Sequence, residues 1–469
     1  MSAPKSRRGL RAVTCAVMAT AVAVGTVGCT PAAQDHDDDT LTVWSLENLP
    51  DRVAATRANL DRFTKETGIH VKLVAVDETQ IPQLLQSAVL SGDLPDVIGA
   101  LPLAYVREID DLDLIDTATT DGIVKDLGAK TFDASAMTLT SDGDRHLSVP
   151  SDAWSQIVVY RKDLFAQAGL EPPTTYEAIA KAAHKLTADG RFGITLATDP
   201  TDQFTTQTFE ALALSNGCQL VDSSGNVTLD SPQCQKTWDL YGDLATKGSP
   251  RGTQSVDSTR ATYFDGGAAM VVWSTFLLDE LAGLRNDAAP ACRECADDPQ
   301  WLAEHSGIVT GMSGPDNPQG STYGEITSWT VLQGADPGRA SRLVKYMMSD
   351  GYPDWLGMAP EGKVPVRTGD AEDPHRFINA WEKLEAGVDT KKPLSDIYDS
   401  KTMQQLTVAP GKIDSWAIPQ GQGQLLGPVA AQLPIAKTAS ELASGQLTSR
   451  EAAQQAQREV EDIQKESDR

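Results

Sequence analysis

The chain has 469 residues, 40% hydrophobic and 22% charged, an ordinary globular composition with length enough for two to three domains. Its 65 acidic and 40 basic residues give a formal net charge of −25. A body this acidic repels phosphate backbones and anionic lipid heads, which argues against nucleic acid as a partner.

The amino-terminal segment opens with Lys5, Arg7, Arg8 and Arg11, continues through an apolar run from Ala12 to Val27, and reaches Gly28. A basic start, a short apolar core and small residues at the end describe a secretory signal, here residues 1–28. The run is too short to cross a bilayer comfortably, and no second apolar segment follows it. The stretch Thr26-Val27-Gly28-Cys29 resembles the lipobox of bacterial lipoproteins, with Thr26 where Leu is commoner. That resemblance implies acylation of Cys29 and a body tethered by its lipid to the outer face of the cell membrane. The alternative is an ordinary secretory signal with a chance cysteine. Residues 29–39, with the acidic run Asp35 to Asp39, read as a polar tether.

An α/β alternation begins after the tether. Leu41 to Trp44 reads as a strand, Asp51 to Thr67 as a helix stopped at Gly68, and 69–76 as an alternating strand. Ile81 to Ser91 reads as a helix ending at Gly92, and Leu94 to Ile98 as a buried strand. Repeated βα units imply parallel strands covered by helices, with ligands beyond the carboxyl ends of the strands. Trp44, Ser45, Glu47 and Gly99–Pro102 are thereby expected near any site. Further along, 156–160 reads as a strand, 174–188 as a helix capped by Thr174 or Thr175, and 231–246 as a helix. In the latter, Trp238 and Tyr241 are core positions. Residues 268–273 read as a buried strand, 284–320 as loop or lid, and 439–466 as a polar terminal helix.

Beyond Cys15 and Cys29, four cysteines remain: Cys218, Cys234, Cys292 and Cys295. An even number in an exported chain reads as two disulfides, and of the three connectivities proximity favours 218–234 with 292–295. No second CxxC or His pair accompanies Cys292 and Cys295, so zinc is not expected. No metal or cofactor is expected elsewhere, and no HExxH, nucleophile elbow or dinucleotide fingerprint is present.

Four ordered segments carry a family resemblance. They are Ser91-Gly92-Asp93-Leu94-Pro95-Asp96-Val97-Ile98; Val149-Pro150 with Tyr160 to Phe165, Ala168 to Leu170 and Pro172 to Tyr176; Phe264 to Met270 ending at Trp273; and Tyr323-Gly324 to Ala340 with Gly362 and Pro365 to Arg367. Together they resemble the sugar-type extracellular solute-binding lipoproteins of ATP-binding-cassette importers, the maltose-binding-protein-like group. The resemblance implies an α/β, two-lobe periplasmic-binding-protein-like (type II) fold with hinge crossings and an interlobe cleft. It places lobe 1 at 40–149 and 325–365 and lobe 2 at 150–324 and 366–469. It implies a monomeric, non-catalytic carrier that captures a carbohydrate, of oligosaccharide size, and delivers it to membrane permease subunits.

A sugar ring offers an apolar face and a rim of hydroxyls, so its site needs flat aromatic surface beside forked hydrogen-bonding groups. On that ground and the resemblance, the candidate ligand residues are Trp44, Glu47, Asp152, Trp154, Gln156, Gln207, Trp273, Tyr323, Glu325, Arg367 and Trp416. Arg367 reads equally as a hinge ion pair, and Trp44 and Trp416 equally as core. Two rival functions stand beside this one: a secreted carbohydrate-active enzyme using a carboxylate pair, and a binder of a non-sugar solute such as a polyamine or glycerophosphate compound.

Overall fold

In the computed structural model, which describes residues 40–188 and 190–467, the alternating Leu41 and Val43 place Thr40–Ser45 (β1) at the centre of a parallel trio. β1 pairs with His70–Ala75 (β2) on one side and Val97–Leu101 (β3) on the other. The Pro50–Thr67 helix covers the trio with Leu60 and Phe63 and stops at Gly68, whose left-handed φ of 75° suits glycine. The signal segment, the tether and Cys29 lie outside the described residues.

Two long strands extend this sheet. Val149–Arg161 (β4) and Asn317–Val331 (β7) are antiparallel partners, and β7 also borders β3. The first half of β4 meets β7 and Val364–Pro365 (β8), while its second half turns to Met270–Ser274 (β5) and Ser306–Val309 (β6). β4 and β7 therefore run continuously from one half of the ten-stranded sheet into the other. The architecture is α/β, as expected.

Two large cores flank these strands. One gathers Leu41, Phe63, Trp329, Trp355, Phe377, Trp381 and Leu406. The other gathers Phe209, Trp238, Tyr241, Trp416, Ile435 and Val460. Residues 376–406 thus pack in the first core, and 416–463 in the second.

Several local expectations shift. The strand expected at 94–98 lies at 97–101, and the one expected at 156–160 is the latter part of β4. The expected 284–320 loop contains a short helix, Trp301–Glu304, and strand β6, because Ser306–Val309 finds partners in Val158–Arg161. The terminal helix is two, Pro434–Ser444 and Ser449–Ser467, parted at Gly445 with φ 77°. Thr175, not Thr174, caps the Tyr176–Leu186 helix by accepting the Ala178 N–H. The structure joins Cys218 to Cys234 and Cys292 to Cys295. Among the described residues no helix is long and apolar enough to cross a membrane.

Candidate functional site

Register brings the key groups together. Glu325 of β7 lies opposite Trp154 of β4, so both side chains share one face of the sheet. Tyr323 and Gln156, each two residues along its strand, share that face. The Trp154 ring meets Tyr323 edge-on at 5.7 Å between centroids and Phe276 at 6.2 Å. All three rings are partly exposed. The Gln203–Ser215 helix packs over the same strands, and its Gln207 hydrogen-bonds the Tyr323 hydroxyl. One turn on, Glu210 is buried and accepts the Trp416 backbone N–H at 3.1 Å.

Glu325 accepts the backbone N–H of Leu103 at 2.8 Å and stands 3.5 Å from the Tyr323 hydroxyl. Leu103 opens the helix Leu103–Asp111, so the carboxyl sits at a helix amino end, where a free amide and the positive pole of the dipole meet it. The approach depends on β3. Ala100 takes a left-handed φ of 57°, and the β3–β7 register shifts beside it. A Cβ on Gly99 would run into the Trp329 ring, so only glycine fits there.

The electrostatics of this face are acidic. Burial, with help from Glu325 and Asp414, pushes the Glu210 carboxyl up to about 8. Burial, with help from Glu78, pushes Glu325 up to about 8 as well. Burial and the charges of Glu78, Glu108, Asp77 and Glu325 raise the Tyr105 phenol to about 12. Gln156 is 1% exposed, and among the described residues neither its amide nitrogen nor its oxygen has a partner. It lines a small cavity together with Ala211 and Leu212, the two residues that follow Glu210.

Of the expected ligand residues, Trp154, Gln156, Gln207, Tyr323 and Glu325 converge here. The others lie elsewhere. Trp44 packs with Ile81 and Ile98 in a separate core. Asp152 is 1% exposed and already holds Ser151, Thr327, Trp355 and Lys363. Glu47 is buried against Arg52 and Lys363, at 2.9 and 2.5 Å. Trp273 packs on Phe204 and donates its indole N–H to the Val256 carbonyl. Trp416 is buried beside Phe209 and donates to the Cys218 carbonyl. Among the described residues Arg367 forms no ion pair. Its guanidinium donates to the carbonyls of Leu127 and Met348, which end two helices, and stacks over Phe132 and Phe377. Each of these six carries a residue type that suits a sugar, but Trp44 is packed in a core and the other five make their hydrogen bonds inside the protein.

Sequence reading missed Phe276 and Glu210. Glu210 carried a usable signal: a carboxyl inside the apolar stretch Phe209–Leu214 is costly to bury unless something uses it. Phe276 carried none, since a ring three residues beyond Trp273 reads as core.

The model of the family described as bacterial extracellular solute-binding protein matches residues 47–282, half of the chain. YcjN of Escherichia coli (strain K12), named as an ABC transporter periplasmic-binding protein, is 29% identical over 325 residues, covering 67% of this chain and 70% of that one. Among solved structures, the cyclic alpha-maltosyl-1,6-maltose binding protein from Arthrobacter globiformis superposes with a TM-score of 0.66 at 18% identity, covering 90% of this chain and 98% of that chain. Maltose-bound MalE3 of T. maritima gives 0.64 at 17%, covering 90% and 99%. At those identities the likeness is one of fold.

Proposed function

The chain belongs to the bacterial extracellular solute-binding protein family, and we propose that the solute it captures is a carbohydrate of oligosaccharide size. The supporting observation is the partly exposed Trp154, flanked by Tyr323 and Phe276, with Gln207 and Glu325 at its rim. An apolar plane beside forked polar groups suits a sugar ring. The fold's likeness to a maltose-bound protein and to a cyclic-maltoside binder fits the same reading.

In this reading the lobes are built on 40–149 with 325–365, and on 150–324 with 366–469, the stretch 376–406 packing back into the core that holds Leu41 and Phe63. The strands β4 and β7 serve as the crossings, and closure around the sugar is a hinge motion stabilised by contacts on both sides. The protein acts as a monomer, takes no cofactor and performs no catalysis. Cys29 carries the lipid that tethers it outside the cell membrane, and the loaded protein docks on the permease subunits of an ABC importer. The two cysteine pairs staple the exported body.

The test is an oligosaccharide panel read two ways, by melting temperature and by product formation. Ligand that binds the native state raises the melting temperature by mass action. Stabilisation without turnover supports the reading, and steady hydrolysis of a bound glycoside overturns it.

A further inference from the structure

We propose that the captured carbohydrate carries a protonated amine, seated between Glu325 and Glu210. This rests on the carbohydrate reading above and narrows it to amino sugars.

The argument starts from how this protein treats its other buried carboxyls. Glu47 is held by Arg52 and Lys363, Asp152 by Lys363, and Glu280 by Arg260, while among the described residues the buried Asp279 and Glu361 form no ion pair but lie in the field of Arg285, with Arg52 also acting on Glu361. Glu210 and Glu325 receive no such partner: among the described residues, no basic side chain bonds either one. The charges that act on them are carboxylates, Asp414 and Glu325 on Glu210, and Glu78 on Glu325. Their protein donors are backbone amides, Trp416 for Glu210 and Leu103 and Ile326 for Glu325, and, at long range, the Tyr323 hydroxyl. A buried carboxyl without a counter-charge is expensive, and an ammonium group arriving with the ligand supplies the missing charge.

Gln156 points the same way independently. The residue is 1% exposed, its amide lacks a partner at both atoms among the described residues, and it lies on the Trp154 face against the helix that bears Glu210. An unmet donor and acceptor at the edge of an aromatic surface are what a ring hydroxyl satisfies. Aromatic plane, amide fork and paired carboxyls together match a sugar with hydroxyls on one part and an amine on another. The chain's net charge of −25 also favours the approach of a cation.

The experiment is isothermal titration of the full chain with matched pairs that differ in amine against hydroxyl: glucosamine and glucose, galactosamine and galactose, and the chitosan trimer against cellotriose. Spermidine is a further arm. We expect at least one amine member to bind about tenfold or more tighter than its neutral counterpart. The preference should collapse below about threefold in Glu325→Gln, which keeps an acceptor for Leu103, and in Glu210→Gln. Binding near pH 7 should release protons, read from its dependence on the buffer's ionisation enthalpy. A neutral sugar that binds as tightly as its amine partner overturns this inference and leaves the carbohydrate reading standing. Binding of spermidine with no sugar bound overturns both.

Discussion

The Glu325 carboxyl accepts the Leu103 amide at 2.8 Å, which ties the middle of β7 to the first turn of the Leu103–Asp111 helix. One residue thereby joins the long strand β7 to the helix that follows β3, and it does so at the rim of the Trp154 aromatic group. A movement of the helix relative to β7 would change the reach of the carboxyl.

Trp416 and Trp273 should behave as core residues. Trp416→Ala and Trp273→Ala each remove an indole with an internal hydrogen bond, and each should cost roughly 3–5 kcal/mol of stability. Denaturant unfolding of the unliganded protein measures this. A near-normal midpoint for either variant would place its ring outside the core.

The buried ionic group around Lys363 should be intolerant of partial removal. Lys363 lies between Glu47 and Asp152, with its ammonium over the Trp355 ring at 4.6 Å. Lys363→Met strands two buried carboxylates and should cost about 3–5 kcal/mol. Since Arg52 still reaches Glu47, a loss under about 1 kcal/mol would mean that Arg52 alone balances the pair.

Stability should fall as pH rises from about 5 to about 8. Burial raises Asp279 to about 6, Glu280 to about 7, and Glu210, Glu325 and Glu361 to about 8. In the unfolded chain these carboxyls titrate near their ordinary values, about 4. Between the two the native state holds more protons, so raising pH favours unfolding, and the loss is complete above about 8. The melting temperature of unliganded protein from pH 5 to 9 checks this, with Glu361→Gln expected to flatten part of the slope. A melting temperature that is constant or rises across that window contradicts it.

Anchoring is tested by Cys29→Ala. Acylation at Cys29 predicts that this variant leaves the membrane fraction or accumulates unprocessed. A variant that stays membrane-bound at the mature mass rules the anchor out.

Much of the amino-terminal half was legible because its elements announce themselves locally. The Ile81–Ser91 helix has its stripe and its Gly92 stop, and β1 and β2 alternate cleanly. The long β7 was not legible, since Asn317 to Glu325 is rich in polar and glycine residues and becomes a strand only through partners in β4, Met312–Gly314 and Ile413–Asp414. In the site, Trp154 and Glu325 were each expected as ligand residues, but their position opposite one another comes from the β4–β7 register, which no local pattern announces. Asp152, two residues from Trp154 and on the same strand, was the harder case. Nothing in its neighbours tells that Trp355 and Lys363, some two hundred positions away, have already filled its oxygens. Long-range satisfaction of a polar side chain leaves no local trace.

The account turns on Trp154 as the surface on which a sugar lies. Titrating the full chain and Trp154→Ala with the oligosaccharide panel, and following product in the same samples, tests this most directly. The account predicts saturable one-to-one binding without turnover, a ligand-induced rise in melting temperature for the native chain, and loss of that rise in Trp154→Ala, whose unliganded melting temperature stays near normal. Turnover of the bound sugar, or undiminished affinity in Trp154→Ala, would contradict it.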